Sequence, residues 1–220
     1  DPSQILGRLS SNGQVWLLNP HGVLFGQGAR VDVASLVTST LRLADSDFLT
    51  GRYRFTGDTG STAWVRNEGA LQSSFGGQIL LLGEQVHNSG SISAPGGQVG
   101  LAAARSVDLV DTGLPNLAVR VQVPAGEVLN LGRLVADGGR VDVHGAIVNQ
   151  AGLVQANTLG LSATGEVVLR ASDTLTLGPD SRTQAAAPAG AMAGRVTLDA
   201  GAGPGRWPGA GHIGARPGWR

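Results

Sequence analysis

Cysteine, lysine, aromatic side chains and long apolar runs are all scarce or absent in this chain of 220 residues. Every one of its 16 basic residues is arginine, and these balance 16 acidic residues. A net charge of zero removes the electrostatic case for a nucleic-acid partner or an acidic membrane surface. Apolar runs such as residues 79–82 are far shorter than the roughly 18 residues that span a bilayer, so we expect no membrane insertion. With aromatics at only 4%, the core must be built from many small aliphatic side chains.

Two interpretations fit the absence of cysteine. One is a chance or cytosolic composition. The other is a protein that crosses the periplasm unfolded, because a disulfide formed there would block its passage. The chain begins at Asp1 and carries no charged and then apolar signal segment, so we expect a processed protein or a fragment.

Alternation of aliphatic and polar residues is the dominant pattern. It recurs, for example, at residues 29–33, 140–143 and 195–198, mostly bounded by Gly or Asn. Period two predicts short strands with one buried face, whereas helix signals are almost missing. The sequence is therefore predicted to be all-β.

An asparagine motif repeats along these strands. Asn67, Asn88, Asn130 and, in a looser copy, Asn149 follow one another at spacings of 21, 42 and 19 residues. A period near 21 with two or three strands per unit predicts a parallel β-helix, because a single rung cannot bury its inward face. The spacing of 42 is interpreted as two rungs, the second lying at residues 107–127 without its Asn.

The repeated asparagines favour a structural role over a ligand-binding one. Asparagine tolerates left-handed corners, and stacked Asn side chains can hydrogen-bond from rung to rung. Residues 45–61 break the period and are predicted to leave the helix as a hairpin around Thr50 and Gly51 that covers part of one sheet. Its aromatic residues, Phe48, Tyr53 and Phe55, leave a sugar- or protein-binding role open.

Catalytic and metal-binding patterns are weak. Acid–base chemistry needs clustered carboxylates, but Asp108, Asp137 and Asp142 are scattered and are predicted to be surface charges. The histidines, at positions 21, 87, 144 and 212, lack metal-ligand spacing, and His144 is expected to be exposed. We predict a non-enzymatic protein without a cofactor or metal, with a β-helical carbohydrate-active enzyme as the alternative.

One long segment resembles a known family. Residues 12–41, NGQVWLLNPHGVLFGQGARVDVASLVTSTL, closely resemble the amino-terminal secretion domain of the filamentous haemagglutinin family of two-partner secretion exoproteins. The segments before and after it, DPSQILGRLSSNG and DSDFLTGRYRFTG, fit the same pattern, and the resemblance extends over roughly residues 1–170. It implies a right-handed, single-stranded parallel β-helix occupying residues 1–200. Residues 201–220, rich in Gly and Pro, are predicted to be a disordered tail or linker.

The resemblance also implies a partner and a location. Family members are bacterial adhesins, haemolysins, contact-dependent toxins or haem-acquisition proteins. They are secreted through the periplasm to the cell surface or beyond, after recognition by the periplasmic domains of an outer-membrane transporter. Downstream regions, absent here, would bind host glycans or receptors. A family motif, Asn-Pro-Asn-Leu, that would lie upstream is absent as well, so the chain is expected to enter its domain part-way.

The family's Asn-Pro-Asn-Gly motif maps onto Asn19, Pro20, His21 and Gly22, with His21 in place of the second Asn. From the residues alone, Pro20 fixes φ for the second position of a β-turn, Asn19 can bond back to the turn backbone, and Gly22 suits the fourth position. Two roles remain open for this corner: a structural turn, or a direct contact with the transporter.

Overall fold

The computed structural model describes residues 1–113, 116–160, 163–201 and 212–214. These residues form one short helix and a succession of strands. In chain order they are β1 (Ser3–Ile5), β2 (Arg8–Leu18), β3 (Val23–Phe25), β4 (Arg30–Ser39), β5 (Arg42–Leu43), α1 (Asp45–Leu49), β6 (Tyr53–Thr56), β7 (Trp64–Asn67), β8 (Ala70–Ser73), β9 (Gln78–Gly83), β10 (Gln85–Asn88), β11 (Ser91–Ser93), β12 (Gln98–Val110), β13 (Ala118–Pro124), β14 (Glu127–Asn130), β15 (Arg133–Val135), β16 (Arg140–Gln150), β17 (Leu153–Gln155), β18 (Glu166–Leu177), β19 (Arg182–Gln184), β20 (Arg195–Ala200) and β21 (His212–Gly214).

The strands wind into a parallel β-helix with three faces. Face 1 stacks β1, β3, β7, β10, β14 and the second halves of β16 and β18. Face 2 stacks the first halves of β2 and β4, then β8, β11, β15, β17, β19 and β21. Face 3 stacks the second halves of β2 and β4, then β9, and the first halves of β12, β16 and β18, then β20. The predicted all-β parallel β-helix is confirmed.

Columns of aliphatic side chains fill the interior. On face 1, Val65 lies in register with Val86, and Val86 with Val128, each of them fully buried. Corresponding columns on faces 2 and 3 pass through Ile92 and Val99. Each fully buried Val, Leu or Ile contributes roughly 1.5–3 kcal/mol through removal of its apolar surface from water. One continuous core therefore supports all the rungs.

Tight stacking at the corners requires glycine. A Cβ at Gly97 would overlap the carbonyl oxygen of Gly77 in the preceding rung, and one at Gly90 would overlap that of Gly69. In both cases the obstacle is backbone and cannot rotate away. The abundance of glycine in the sequence thus has a packing cause.

Four strands form an antiparallel outer sheet against face 3. They are β5, β6, the second half of β12 and β13, in that order. The outer sheet accounts for both breaks in the 21-residue period. Asn88 pairs directly with Asn130, so the spacing of 42 is a single rung with a hairpin inserted into it. The interpretation of residues 107–127 as a rung is wrong, because Val107, Val119 and Val121 face the outer sheet's own apolar layer and Val123 lies exposed at the end of β13.

The excursion at residues 45–61 also differs from its prediction. Instead of a hairpin around Thr50 and Gly51, the chain makes the helical turn α1 and then returns as β6. Thr50 is the C-cap of that turn, with its hydroxyl donating to the carbonyl of Ser46 at 2.8 Å. The excursion does cover one sheet, since β6 lies over face 3.

A second apolar layer lies between face 3 and the outer sheet. Leu80, Leu82 and Ala102 project outward from face 3 and meet Phe55 and Val107 from the outer sheet. The aromatic residues of the excursion pack around Trp16 of β2 in the same layer; the ring centroids of Phe48, Tyr53 and Phe55 lie 5.4, 5.1 and 6.2 Å from that of Trp16. These aromatics consequently anchor the outer sheet to the helix.

The predicted tail falls mostly outside the described residues, which exclude 202–211 and 215–220. Within it, β21 is a strand that pairs in parallel with β19 and extends face 2. The prediction of a disordered tail does not include this strand. In the described parts of the chain, no helix has the length and apolar character to cross a membrane.

Candidate functional site

The corner at Asn19–Gly22 is a tight hydrogen-bonded turn. The amide of Gly22 donates to the carbonyl of Asn19 at 3.1 Å, which closes a four-residue β-turn with Pro20 in its second position. The side chain of Asn19 reinforces the turn, because its Oδ1 accepts from the amide of His21 at 2.9 Å. His21 has a negative φ, as do all described non-glycine residues, so the turn does not need a left-handed residue in the third position.

Neighbouring segments hold the turn on two sides. Asn19 donates through Nδ2 to the carbonyl of Asp1 at 3.1 Å and to Oγ of Ser3 at 2.9 Å. Gly22, at φ 124°, is buried, and a Cβ there would lie 3.2 Å from Cβ of Pro2 and 3.4 Å from the carbonyl oxygen of Trp64. The corner is therefore fixed relative to both β1 and β7.

His21 is the one exposed residue of the corner. Asn19 and Pro20 are half-buried and Gly22 is buried, whereas the imidazole of His21 is exposed. A backbone held this firmly would present that ring to a partner with little loss of conformational entropy on binding. Such an arrangement is suited to recognition and offers no second group for chemistry.

The chain also matches a known protein family in sequence. The model of the TPS (two-partner secretion) secretion domain matches residues 1–129, which include the corner and the outer sheet. The chain belongs to the TPS secretion domain family.

Individual relatives agree with this membership. The crystal structure of the HMW1 secretion domain from Haemophilus influenzae superposes with a TM-score of 0.74 at 26% identity, covering 91% of this chain and 56% of that one. Two heme/hemopexin-binding proteins from Haemophilus influenzae are similar as well. One is 44% identical over 54 residues, which is 24% of this chain and 6% of the relative. The other, from strain ATCC 51907 / DSM 11121 / KW20 / Rd, is 34% identical over 100 residues, which is 42% of this chain and 11% of the relative.

The repeated asparagines of this TPS domain form a buried ladder of amide groups. Asn67 donates through Nδ2 to Oδ1 of Asn88, and Asn88 donates in the same way to Asn130, both at 2.8 Å. Asn130 then donates to Oε1 of Gln150 at 2.6 Å. The alignment that puts Asn149 in this series is wrong by one residue: Asn149 pairs with Leu129 in register and donates instead to Glu127, outside the ladder.

Gln150 is the member that the sequence interpretation missed. A signal for it was present, because each ladder residue is an amide followed two positions later by glycine: Asn67 and Gly69, Asn88 and Gly90, Asn130 and Gly132, Gln150 and Gly152. The amide group, not asparagine itself, is what the ladder needs. Gln150 completes the series by donating to the carbonyl of Gly152 at 2.9 Å.

The expected surface carboxylate Asp142 is buried, with 3% of its surface exposed. Arg140 donates to it through Nε at 2.8 and 2.6 Å, and Gln98 at 3.1 Å. His144 is also mostly buried, contrary to the prediction, and its Nε2 lies 3.8 Å from Asp142 Oδ1, beyond hydrogen-bond length. The side chains of Gln98, Arg140 and His144 surround the Asp142 carboxylate on the outer side of face 3, and alternation alone does not reveal such contacts. Burial raises the pKa of Asp142, but the His144 imidazole and the Arg140 guanidinium lower it by more, so it lies below its ordinary value.

The other two carboxylates are held separately. Asp137 accepts from Gln155 and from the amide of Asn157, and Asp108 accepts from Gln122 at 2.9 Å. Each of these carboxylates thus has a structural hydrogen-bond partner of its own.

Titratable groups do not assemble into a metal centre in the described part of the chain, where no group of three or more His, Cys, Asp or Glu residues has metal-binding geometry. His87 lies on the outer surface of face 1, in register with Arg66. Burial and the charge of Arg66 lower the pKa of His87, and Glu127 partly opposes this. The side chain of His212 lies outside the described residues.

Proposed function

We propose that this chain is the targeting module of a secreted exoprotein and that the periplasmic domains of an outer-membrane transporter recognise it. TPS exoproteins are secreted through the periplasm to the cell surface or the medium. The observation that carries the proposal is the corner at Asn19–Gly22, a rigid turn with one exposed side chain that lies inside the matched domain.

The four residues of the corner have different roles in this proposal. Asn19, Pro20 and Gly22 build and anchor the turn. His21 supplies the surface that the transporter contacts, because it is the exposed member. A structural role and a recognition role thus belong to different side chains of one motif.

Export by the matching transporter tests whether the structural role and the recognition role belong to different residues of the corner. For this assay the chain is expressed behind an added signal peptide in cells that carry the transporter. The fraction of the chain released into the medium is measured. Replacing Asn19 and Pro20 together should block release, and His21→Ala should reduce it while the purified protein unfolds at the wild-type urea concentration. Asp142→Ala, which changes the outer side of face 3 away from the corner, should still be released.

Pro95→Ala is the matched control. Pro95 occupies the second position of another turn, closed by the amide of Gly97 and the carbonyl of Ala94 at 3.1 Å, between faces 2 and 3. It should be released normally. Normal release of the Asn19 and Pro20 double variant, or equal loss in the Pro95 variant, would contradict a recognition role for the corner.

The activity of the whole exoprotein belongs to regions beyond this match. The chain spans about a tenth or less of the heme/hemopexin-binding relatives. Haem acquisition and adhesion to host glycans or receptors are both proposals for the longer protein. Haem titration of the present chain, followed by absorbance, should show no saturable binding if the capacity resides downstream.

A further inference from the structure

The outer sheet ends in an open edge at β13. Among the strands that the structure describes, β13 pairs only with β12, so the backbone groups of its other edge have no partner strand. Its sequence, AVRVQVP, alternates valine with polar residues, and Val123 is 47% exposed. Edges of this kind accept a further strand unless charges, bulges or a covering element protect them. The register shifts between β12 and β13 lie beyond Val121, so residues 118–121 pair regularly with β12.

The charges across the outer face indicate what a further strand would carry. Arg54 of β6, Asp108 of β12 and Arg120 of β13 face one another in register, so charge alternates from strand to strand. Arg54 Nε lies 3.7 Å from Asp108, whereas the described ion pairs leave Arg120, at the edge, without a carboxylate. Opposite charges on neighbouring strands stabilise their pairing. The next position in this row therefore favours an acidic residue.

The row beside it is apolar. Phe55, Val107 and Val121 lie in register and face the helix, as do Tyr53, Leu109 and Val119 in the next inward-facing row. A strand added to β13 would continue this alternation with apolar residues on either side of its acidic one.

There is room for such a strand. A groove of about 540 Å³ lies between β13 and the outer surface of β16, β18 and β20, with Arg120, Gln122, Arg170 and Asp199 among its lining residues. It is the position that a fifth strand of the outer sheet would occupy. Arg170 is paired with Asp199 at 2.9 Å on the far wall and does not compete for the new acidic residue.

We propose that the edge of β13 binds an extended strand of a partner protein with the pattern apolar–acidic–apolar, the acidic residue facing Arg120. This surface is separate from the Asn19–Gly22 corner, and its role does not depend on that of the corner.

A peptide supplied by the chain itself is the test. The sequence Ser-Val-Asp-Leu-Val copies residues 106–110 of β12, which already pair with the opposite edge of β13. Binding of the labelled peptide to the full chain is followed by fluorescence anisotropy. Arg120→Glu should weaken binding about three- to tenfold, and the peptide with Arg in place of Asp should bind that variant more tightly than wild type. Arg54→Glu, on the same face but two strands from the edge, should leave binding unchanged.

Backbone pairing is tested separately. Two N-methylated versions of the peptide are compared. In the first, the methyl groups replace the amide hydrogens that face β13, and this peptide should fail to bind. In the second, they replace the amide hydrogens that face away from β13, and this peptide should bind like the parent. Equal binding of the acidic and basic peptides to both proteins, or binding of both methylated peptides, would overturn the proposal. Self-association of the chain that Arg120→Glu abolishes would assign the edge to a second copy and overturn it as well.

Discussion

Removing one rung of the amide ladder should destabilise the protein far more than removing a neighbouring asparagine. In Asn88→Ala, the side-chain amide that links Asn67 to Asn130 disappears. Both partners are buried, with 0% and 2% of their surface exposed, so water does not replace the lost bonds. The change thus leaves unpaired polar atoms inside the β-helix.

The contacts set the size of the effect. Leaving a buried donor or acceptor unsatisfied costs about 1–3 kcal/mol. Asn130 loses the donor to its Oδ1 outright, whereas Nδ2 of Asn67 keeps a long contact of 3.4 Å with the carbonyl of Gly69. We therefore expect a loss of about 2–4 kcal/mol in the free energy of unfolding. This sum contains the full penalty at Asn130, a partial penalty at Asn67 and the cost of the small cavity left by the Asn88 side chain.

Asn149→Ala is the control, because Asn149 lies beside the ladder and bonds to Glu127 at its half-exposed margin. It should cost only about 1 kcal/mol, because water can replace the lost hydrogen bond at this half-exposed position. Urea denaturation followed by far-ultraviolet circular dichroism measures both variants against wild type. Asn130→Gln, which places in the ladder the amide found naturally at position 150, should retain more stability than Asn130→Ala. A loss for Asn88→Ala no larger than that for Asn149→Ala would refute a stabilising ladder.

Two further predictions concern face 3 and the corners. Because the pKa of Asp142 is lowered in the folded state, its ionised form adds stability that is present above about pH 4 and lost as the pH falls through the folded pKa. The stability difference between wild type and Asp142→Asn should be largest at pH 7 and shrink below about pH 4, which urea denaturation at several pH values checks; a constant difference would contradict it. Gly97→Ala should destabilise by about 3 kcal/mol or more, because its Cβ would overlap the carbonyl of Gly77, whereas Gly7→Ala, with open space at that position, should stay within about 0.5 kcal/mol. Thermal unfolding compares the two glycine variants, and similar melting temperatures would contradict the overlap.

Periodicity made the β-helix predictable. A rung repeats the same local requirements at a fixed interval: an aliphatic residue inward, an amide at one corner and a glycine where backbones meet. Asn67 and Asn88 show that interval directly: they are 21 residues apart in the chain, and Nδ2 of Asn67 lies 2.8 Å from Oδ1 of Asn88. Within the corner, the turn-forming properties of Pro20 and Gly22 are local and could be inferred from four residues.

Features that depend on distant segments could not be predicted in the same way. Val121 alternates as a rung strand does, yet it belongs to the outer sheet, because period two does not distinguish parallel from antiparallel pairing. Asp142 looks like a surface charge beside Arg140, yet it is buried, because Gln98 of another rung and His144 also pack against its carboxylate. Gln150 was missed because the interpretation followed asparagine as a residue type and overlooked the amide group that the ladder uses.

Recognition of the Asn19–Gly22 corner by the transporter can be measured as binding of the purified chain to the transporter's purified periplasmic domains. Isothermal titration calorimetry would compare wild type, His21→Ala and Pro95→Ala. We expect saturable binding that the His21 change weakens at least tenfold and the Pro95 change leaves intact. Equal affinities for all three proteins would show that the transporter does not read the exposed side chain of this corner.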